Sequence, residues 1–109
     1  MNKKFTHEVI FCIVNSGYSE AVMDAAKKGG ARGGTVLNAR GTAGKEAEKF
    51  FHISVHEEKE IVMILVPEEQ KADVLQLLYD EVGLNTAGQG IAFSMPVDGV
   101  VGISPIPEK

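Results

Sequence analysis

The sequence has little that suits an oxidising compartment, a membrane or secretion. With one cysteine in 109 residues it cannot form an internal disulfide. Its longest wholly apolar runs, Val9–Val14 and Ile61–Val66, have six residues each, far fewer than a membrane span requires. No signal-peptide cleavage pattern follows the first residues. We therefore expect a soluble, cytoplasmic protein that does not insert into membranes.

A general excess of positive charge is also missing. The net charge of −4 argues against binding to nucleic acid over the whole surface. The charge is uneven, however, because residues 27–49 carry six of the eleven basic side chains and only two acidic ones. That segment is also rich in glycine. A basic, glycine-rich stretch on an acidic body indicates a local anion site.

The apolar pattern predicts four main strands in one domain over residues 1–109. Val9–Val14 and Ile61–Val66 are predicted as buried strands, and Gly33–Asn38 and Ile91–Val97 as two more. A short fifth strand is expected over Val100–Ile103, followed by an extended tail over 104–109.

Two helices are predicted between these strands. The first follows Ser16 or Ser19, either of which could cap it, and has an apolar stripe of Tyr18, Ala21, Val22, Ala25 and Ala26. Pro67 fits the first turn of the second helix. The apolar stripe of this second helix consists of Val74, Leu75, Leu78 and Val82.

The order βαββαβ predicts a ferredoxin-like α+β fold, an antiparallel sheet with both helices on one face. A sheet with helices on both faces is the alternative, but it needs more helices than the pattern supplies. The two apolar runs do not alternate with polar residues, so both faces of these strands require burial. Since two helices cover only one face, we expect a homo-oligomer.

Catalytic and metal motifs are weak. Histidines 52 and 56 would lie about 13 Å apart on one strand, too far to chelate one ion. Cys12 lies inside an apolar strand, as a small buried hydrophobe does. Residues 41–45 lack the spacing of a Walker phosphate loop. No catalytic residue and no metal site are predicted, and the chain is not expected to be an enzyme.

Four short motifs, in this order, resemble those of the PII signal-transduction family over about residues 8–103. Gly33-Gly34-Thr35-Val36 resembles Gly-Met-Thr-Val, and Arg40-Gly41 resembles the Lys-Gly that opens the long T-loop. Residues 60–69 resemble the apolar strand that ends in Val-Pro-Asp-Asp. Gly88-Gln89-Gly90-Ile91-Ala92-Phe93 resembles the Gly-Asp-Gly-Lys-Ile-Phe of the nucleotide-binding B-loop.

The resemblance implies a cytoplasmic homotrimer that takes part in nitrogen regulation. It implies binding of ADP, AMP or ATP as an effector between subunits, with no resident cofactor. A flexible T-loop of about residues 40–58 would contact a transporter, an enzyme or a transcription regulator. The residues expected at the cleft are Gly33, Gly34, Thr35, Gly41, Gly88, Gln89 and Gly90. We add Arg40 and Lys45 as candidate anion-binding cations, with Arg32 close by in sequence.

Several positions depart from the family pattern. Ile91 stands where the family has a phosphate-contacting lysine, and Gly102 and Ser104 replace paired arginines. The T-loop segment lacks the Gly-Arg-Gln-Lys run whose glutamine helps to bind 2-oxoglutarate. Because these cations would offset triphosphate charge, we expect weak ATP binding. The alternatives are a ligand-free trimeric interaction scaffold, a metal-binding relative of this fold and a small enzyme.

Overall fold

Four antiparallel strands form one sheet in the order β2-β3-β1-β4. They are β1 (His7–Asn15), β2 (Thr35–Arg40), β3 (Glu58–Pro67) and β4 (Ile91–Val97). This computed structural model describes residues 5–42 and 57–102. The predicted T-loop therefore lies mostly outside the described residues, as do Lys45, histidines 52 and 56, and the tail.

Two helices, α1 (Ser19–Lys28) and α2 (Lys71–Val82), pack against each other on one face of the sheet. The element order and layering confirm the predicted ferredoxin-like α+β fold. The core joins the alternate, inward residues of the central strands to the helices. Its largest members, each at most 2% exposed, are Ile10, Val14, Val22, Val62, Ile64, Val66, Val74, Leu78 and Val82.

The other face of the sheet is also apolar, although both described helices lie away from it. Phe11 pairs with Met63 on one side and with Phe93 on the other, and the two phenyl rings stack at 5.4 Å. Ile91 is 53% exposed, Phe93 46% and Met95 47%. We call this surface the open face. It comprises Val9, Phe11, Ile13, Leu37, Ile61, Met63, Leu65, Ile91, Phe93 and Met95.

Two details of the predicted elements were wrong. Pro67 ends β3, and a 3₁₀ turn (Glu68–Gln70) separates it from α2. Val100–Gly102 form no strand, and Ile103 lies outside the described residues. The reason is that β4 already reaches His7, the first residue of β1, at Val97, so no length of β1 remains to pair with.

The start of α1 was also predicted wrongly, because neither Ser16 nor Ser19 caps it with its side chain. The cap comes from β3 instead. Glu60 Oε1 accepts hydrogen bonds from the backbone N–H groups of Gly17 and Ser19, each at 3.2 Å. A carboxylate suits the positive end of a helix. The turn after β1 is therefore held by β3.

Candidate functional site

One end of the sheet gathers most of the predicted site residues. There β1 ends at Asn15 opposite Lys59, and β2 ends at Arg40 opposite Glu58. β4 begins at the same end. We call this the loop end of the sheet, made of Asn15, Arg40, Gly41, Lys59 and residues 87–90. The sequence motifs around residues 40 and 88, which are far apart along the chain, meet here.

The loop between α2 and β4 is fixed by its own backbone. Thr86 donates to the Gly83 carbonyl through both its N–H, at 2.9 Å, and its hydroxyl, at 2.7 Å. Gln89 N–H donates to Thr86 O, and Gly90 N–H donates to Val82 O at 2.6 Å. Gln89 has φ 50°, which is uncommon for a residue with a side chain. Hydrogen bonds within the loop and to the end of α2 therefore fix its conformation.

Asn15 joins this loop to β3. Its amide nitrogen donates to Ala87 O at 3.1 Å and to Gln89 Oε1 at 3.3 Å. Its amide oxygen accepts from Lys59 Nζ at 2.8 Å, and its backbone N–H donates to Gly88 O at 2.9 Å. Only 2% of Asn15 is exposed. A buried amide is stable only when it is paired in this way.

Lys59 is the cation at the centre of the loop end. Its half-buried side chain lies over Gly41, where an added Cβ would come within 2.9 Å of Lys59 Cε. Within residues 5–42 and 57–102 its ammonium bonds the neutral Asn15, and the ion pairs found there, Lys28–Glu81 and Lys71–Glu8, do not involve it. Its positive charge therefore has no carboxylate partner in the described structure.

Three of the backbone N–H groups expected to hold an anion are already occupied. Gly41 donates to Glu57 O, while Gln89 and Gly90 donate to the carbonyls named above. Arg40 is exposed beside them. An anion at this end would meet the Lys59 and Arg40 side chains rather than these three N–H groups.

The remaining predicted residues, Gly33, Gly34 and Thr35, lie toward the opposite end. Thr35 and Arg40 are the two ends of β2, roughly 17 Å apart at about 3.3 Å per residue. Beside Gly33 is an open cavity of about 370 Å³ whose lining includes His7, Arg32 and Gln70. Gln70 Oε1 is buried there and has no hydrogen-bond partner among the described residues. Within one chain the predicted residues therefore form two groups, which lie toward opposite ends of β2.

The glycines divide by what surrounds them. A Cβ on Gly90 would contact the Val82 carbonyl oxygen, and one on Gly34 would come within 2.9 Å of Met63 O. Packing within the chain therefore explains both. Among residues 5–42 and 57–102, a Cβ on Gly33 would meet nothing within 4 Å, and one on Gly88 only ordinary contacts at 3.5 Å. Packing in this part of the chain therefore does not account for glycine at these two positions.

Cys12, the single cysteine of the sequence, is buried in the core. Burial raises the pKa of the Cys12 thiol from 9.0 to about 11, so it is protonated at neutral pH and is a poor nucleophile. The described ranges contain no group of three or more His, Cys, Asp or Glu side chains that could hold a metal ion. None of their helices is both long and apolar enough to cross a bilayer.

Comparison with known proteins gives a family and several structures. The family model described as nitrogen regulatory protein P-II matches residues 7–105. PII from Arabidopsis thaliana, solved bound to citrate, is 23% identical with a TM-score of 0.68, covering 92% of this chain and 82% of its own. A putative PII-like signalling protein from Thermus thermophilus is 21% identical with a TM-score of 0.61, covering 87% and 90%.

A DUF3240 family protein from Shewanella baltica is 17% identical, with a TM-score of 0.66 and coverage of 93% and 100%. At these identities the structures show a shared fold. No curated protein matches the sequence.

The βαββαβ sheet with its two loops at one end defines a ferredoxin-like α+β protein of the PII type. The match over residues 7–105 goes further: this chain belongs to the nitrogen regulatory protein P-II family. The departures at Ile91 and Gly102 make it a divergent member.

Proposed function

We propose that this protein is a non-enzymatic, cytoplasmic signalling regulator that binds an adenine nucleotide or another small anion between its subunits. The observation that carries the proposal is the Lys59 ammonium, which lies at the loop end with only a neutral partner among the described residues. An ammonium in such a place favours an anionic ligand. Membership of the P-II family supports a role in signalling, and nitrogen regulation is part of the same proposal.

A homotrimer is the assembly we propose. The support is the open face, whose exposed Ile91, Phe93 and Met95 continue the partly buried apolar residues of β1 and β3. Contiguous exposed apolar surface of this kind marks an interaction site. A second copy of the chain is the natural cover, because the two central strands are apolar on both sides.

The ligand site is proposed to be shared by two subunits. In one chain Gly33 and its cavity lie near one end of β2, and Lys59 and Gly88 lie near the other. Assembly would bring the Gly33 side of one chain to the loop end of its neighbour. Gly33 and Gly88, which packing within the chain leaves unexplained, would then face the ligand. Gly34, Thr35, Gly41, Gln89 and Gly90 complete the proposed cleft.

The charge of the site favours a ligand with few negative charges. Ile91 and Gly102 supply none of the cations that the family has at these places. Lys59, Arg40, Lys45 and Arg32 replace them only in part, so we expect ADP or AMP to bind more tightly than ATP. The citrate bound to the Arabidopsis relative is a small polyanion and fits the same class of ligand.

The partner protein is proposed to bind residues 40–58. Both ends of this segment are at the loop end, where Gly41 N–H donates to Glu57 O and Lys59 lies over Gly41. A ligand at Lys59 would therefore act close to the base of the partner-binding segment. The flexibility of residues 40–58 and the extended conformation of the tail over 104–109 remain predictions.

Calorimetric titration of the purified oligomer with ATP, ADP, AMP and cyclic AMP tests the proposal, with and without magnesium and 2-oxoglutarate. We expect saturable binding near one ligand per chain. Lys59→Met should weaken binding about tenfold, a typical value for a charge-assisted hydrogen bond. Lys27→Met, which removes an exposed lysine on α1, should leave binding unchanged.

The double substitution of Arg40 and Lys45 to alanine tests the other proposed cations. An unchanged anion affinity would remove both from the site.

A ligand-free interaction scaffold is the second candidate, and one observation favours it. The N–H groups of Gly41, Gln89 and Gly90 are satisfied within the chain and need no ligand. Under this alternative no nucleotide gives binding heat, and Lys59 serves only the packing of the loop end. A parallel titration with divalent metals tests the alternative that this chain is a metal-binding relative of the fold. Its histidines 52 and 56 lie outside the described residues.

A further inference from the structure

Every polar group of Asn15 has a partner, although the residue is 2% exposed. Both amide hydrogens are used, toward Ala87 O and Gln89 Oε1, and the amide oxygen accepts from Lys59. The backbone carbonyl also accepts from Tyr18 N–H at 3.2 Å. The side chain at this place must both donate and accept hydrogen bonds, as an amide does. A leucine side chain can do neither, and an ionised aspartate can accept but cannot donate.

We infer that Asn15 couples Lys59 to the loop of residues 87–89, so that a change at the Lys59 ammonium alters the stability of that loop. Asn15 is thus a positioning residue, which acts through Lys59 and Gln89. The inference deepens the proposed function and rests on it for the ligand. The hydrogen bonds themselves exist without one.

The coupling follows from what happens when an anion draws Lys59 away. Asn15 Oδ1 would then be a buried acceptor without its donor, which is unfavourable. The amide can recover a partner only by turning or by admitting water, and either change loosens its bonds to Ala87 O and Gln89 Oε1. The loop gives way in turn, because Gln89 holds a φ of 50° that its surroundings must maintain.

The effect should run in the other direction as well. A ligand that orders the 87–89 loop would fix the Asn15 amide and hold Lys59 over Gly41. Lys59 is the third residue after segment 43–56, which lies outside the described residues, and Gly41 is the second residue before it. Binding at the loop would thereby be felt at both ends of that segment. Such reciprocity is required of any two coupled sites.

Amide hydrogen exchange of the full-length oligomer, without ligand, tests this directly. Lys59→Met should speed exchange at Gln89 and Gly90 by roughly three- to tenfold, the loss expected from one hydrogen bond. In the described structure no hydrogen bond joins Lys59 to Gln89 or Gly90, whereas Asn15 is bonded to both Lys59 and Gln89. Lys27→Met is the matched control and should change nothing. Unchanged exchange at residues 84–90 in Lys59→Met would overturn the inference.

A variant of Asn15 tests whether the effect of Lys59→Met passes through that residue. In Asn15→Ala, or in Asn15→Leu should alanine fail to fold, the side chain can neither donate nor accept, so the link to the loop is already lost. Lys59→Met should then add no further acceleration at Gln89 and Gly90. If it accelerates exchange there by the same factor as in the native background, the coupling does not run through Asn15.

Titration with ADP and magnesium separates this inference from the proposed function. If the native protein binds ADP, binding should slow exchange at Lys59 and Gly41, and Asn15→Leu should abolish that slowing while leaving exchange elsewhere in β3 unchanged. Slowing that persists in Asn15→Leu contradicts the inference. If ADP gives no binding heat, the nucleotide proposal fails, while the ligand-free exchange result still decides the role of Asn15.

Discussion

The two faces of the sheet are both apolar, but only one of them is covered in the described structure. On the helix face, Ile64 and Leu78 are at most 1% exposed. On the open face, Phe93 and Met95 are nearly half exposed, although their residue types are just as hydrophobic. The difference shows that the two helices complete one core and that a second apolar surface is left uncovered by the described residues.

The helix face should account for most of the stability of a single chain. Leu78→Ala removes a buried side chain between α2 and the sheet, so we expect the free energy of unfolding to fall by about 2–5 kcal/mol. Urea unfolding at fixed protein concentration measures it. Leu84, which is 63% exposed, provides the control, and its alanine variant should change stability by less than about 0.5 kcal/mol. Equal effects of the two variants would contradict the assignment of the core.

The pKa of the Cys12 thiol tests how completely the helix face excludes water. Its pKa of about 11 in the folded chain exceeds the ordinary 9.0, so the unfolded chain loses its proton first as pH rises. Stability should be full below pH 9 and fall by about 2–3 kcal/mol by pH 11.

The measurement for Cys12 is urea unfolding between pH 8 and pH 11, compared with Cys12→Ala, which cannot titrate there. If both proteins lose stability in parallel across this range, the thiol is not the cause. That result would mean that water reaches Cys12 and that burial does not raise the pKa of its thiol.

The open face should control assembly. Phe93→Asp places a charge beside Phe11, and we expect association to weaken at least about thirtyfold, as for a central interface residue. Light scattering across a dilution series measures the change. Tyr79→Asp is the matched control, because Tyr79 is an aromatic residue 66% exposed on the helix layer. Equal dissociation of the two variants would mean that the open face is not the contact.

Two glycines of one loop, both buried, differ in the space around them. Gly90→Ala forces a methyl group toward the Val82 carbonyl and should destabilise the chain by about 1–3 kcal/mol. Gly88→Ala meets only ordinary contacts, so its effect on stability should stay within about 0.5 kcal/mol.

If Gly88 faces a ligand, however, nucleotide affinity should drop in Gly88→Ala while the thermal midpoint stays the same. A drop in both would show that this glycine serves the fold.

Much of the fold could be predicted because its signals are local. The apolar runs placed β1 and β3 to within one to three residues, and the predicted Ile91–Val97 is β4 itself. The apolar character of both strand faces also predicted the open face.

The chemistry of the loop end was harder to foresee, because its contacts join residues far apart along the chain. Lys59 meets Asn15 across 44 residues, and Glu60 caps α1 from 41 residues away. Neither lysine nor glutamate carries a local signal for such a role. The glycine motifs predict a ligand loop over residues 88–90, which stays a prediction, and two of its N–H groups are used within the chain. Only the strand register could have paired Asn15 with Lys59.

The central claim is that the open face is covered by further copies of this chain, which completes the clefts between subunits. Light scattering of the purified protein at micromolar concentration tests it most directly. Three copies of an 11.7 kDa chain predict a single species of about 35 kDa. A monodisperse species at the mass of one chain would contradict the account, because the two halves of the proposed site could then never meet.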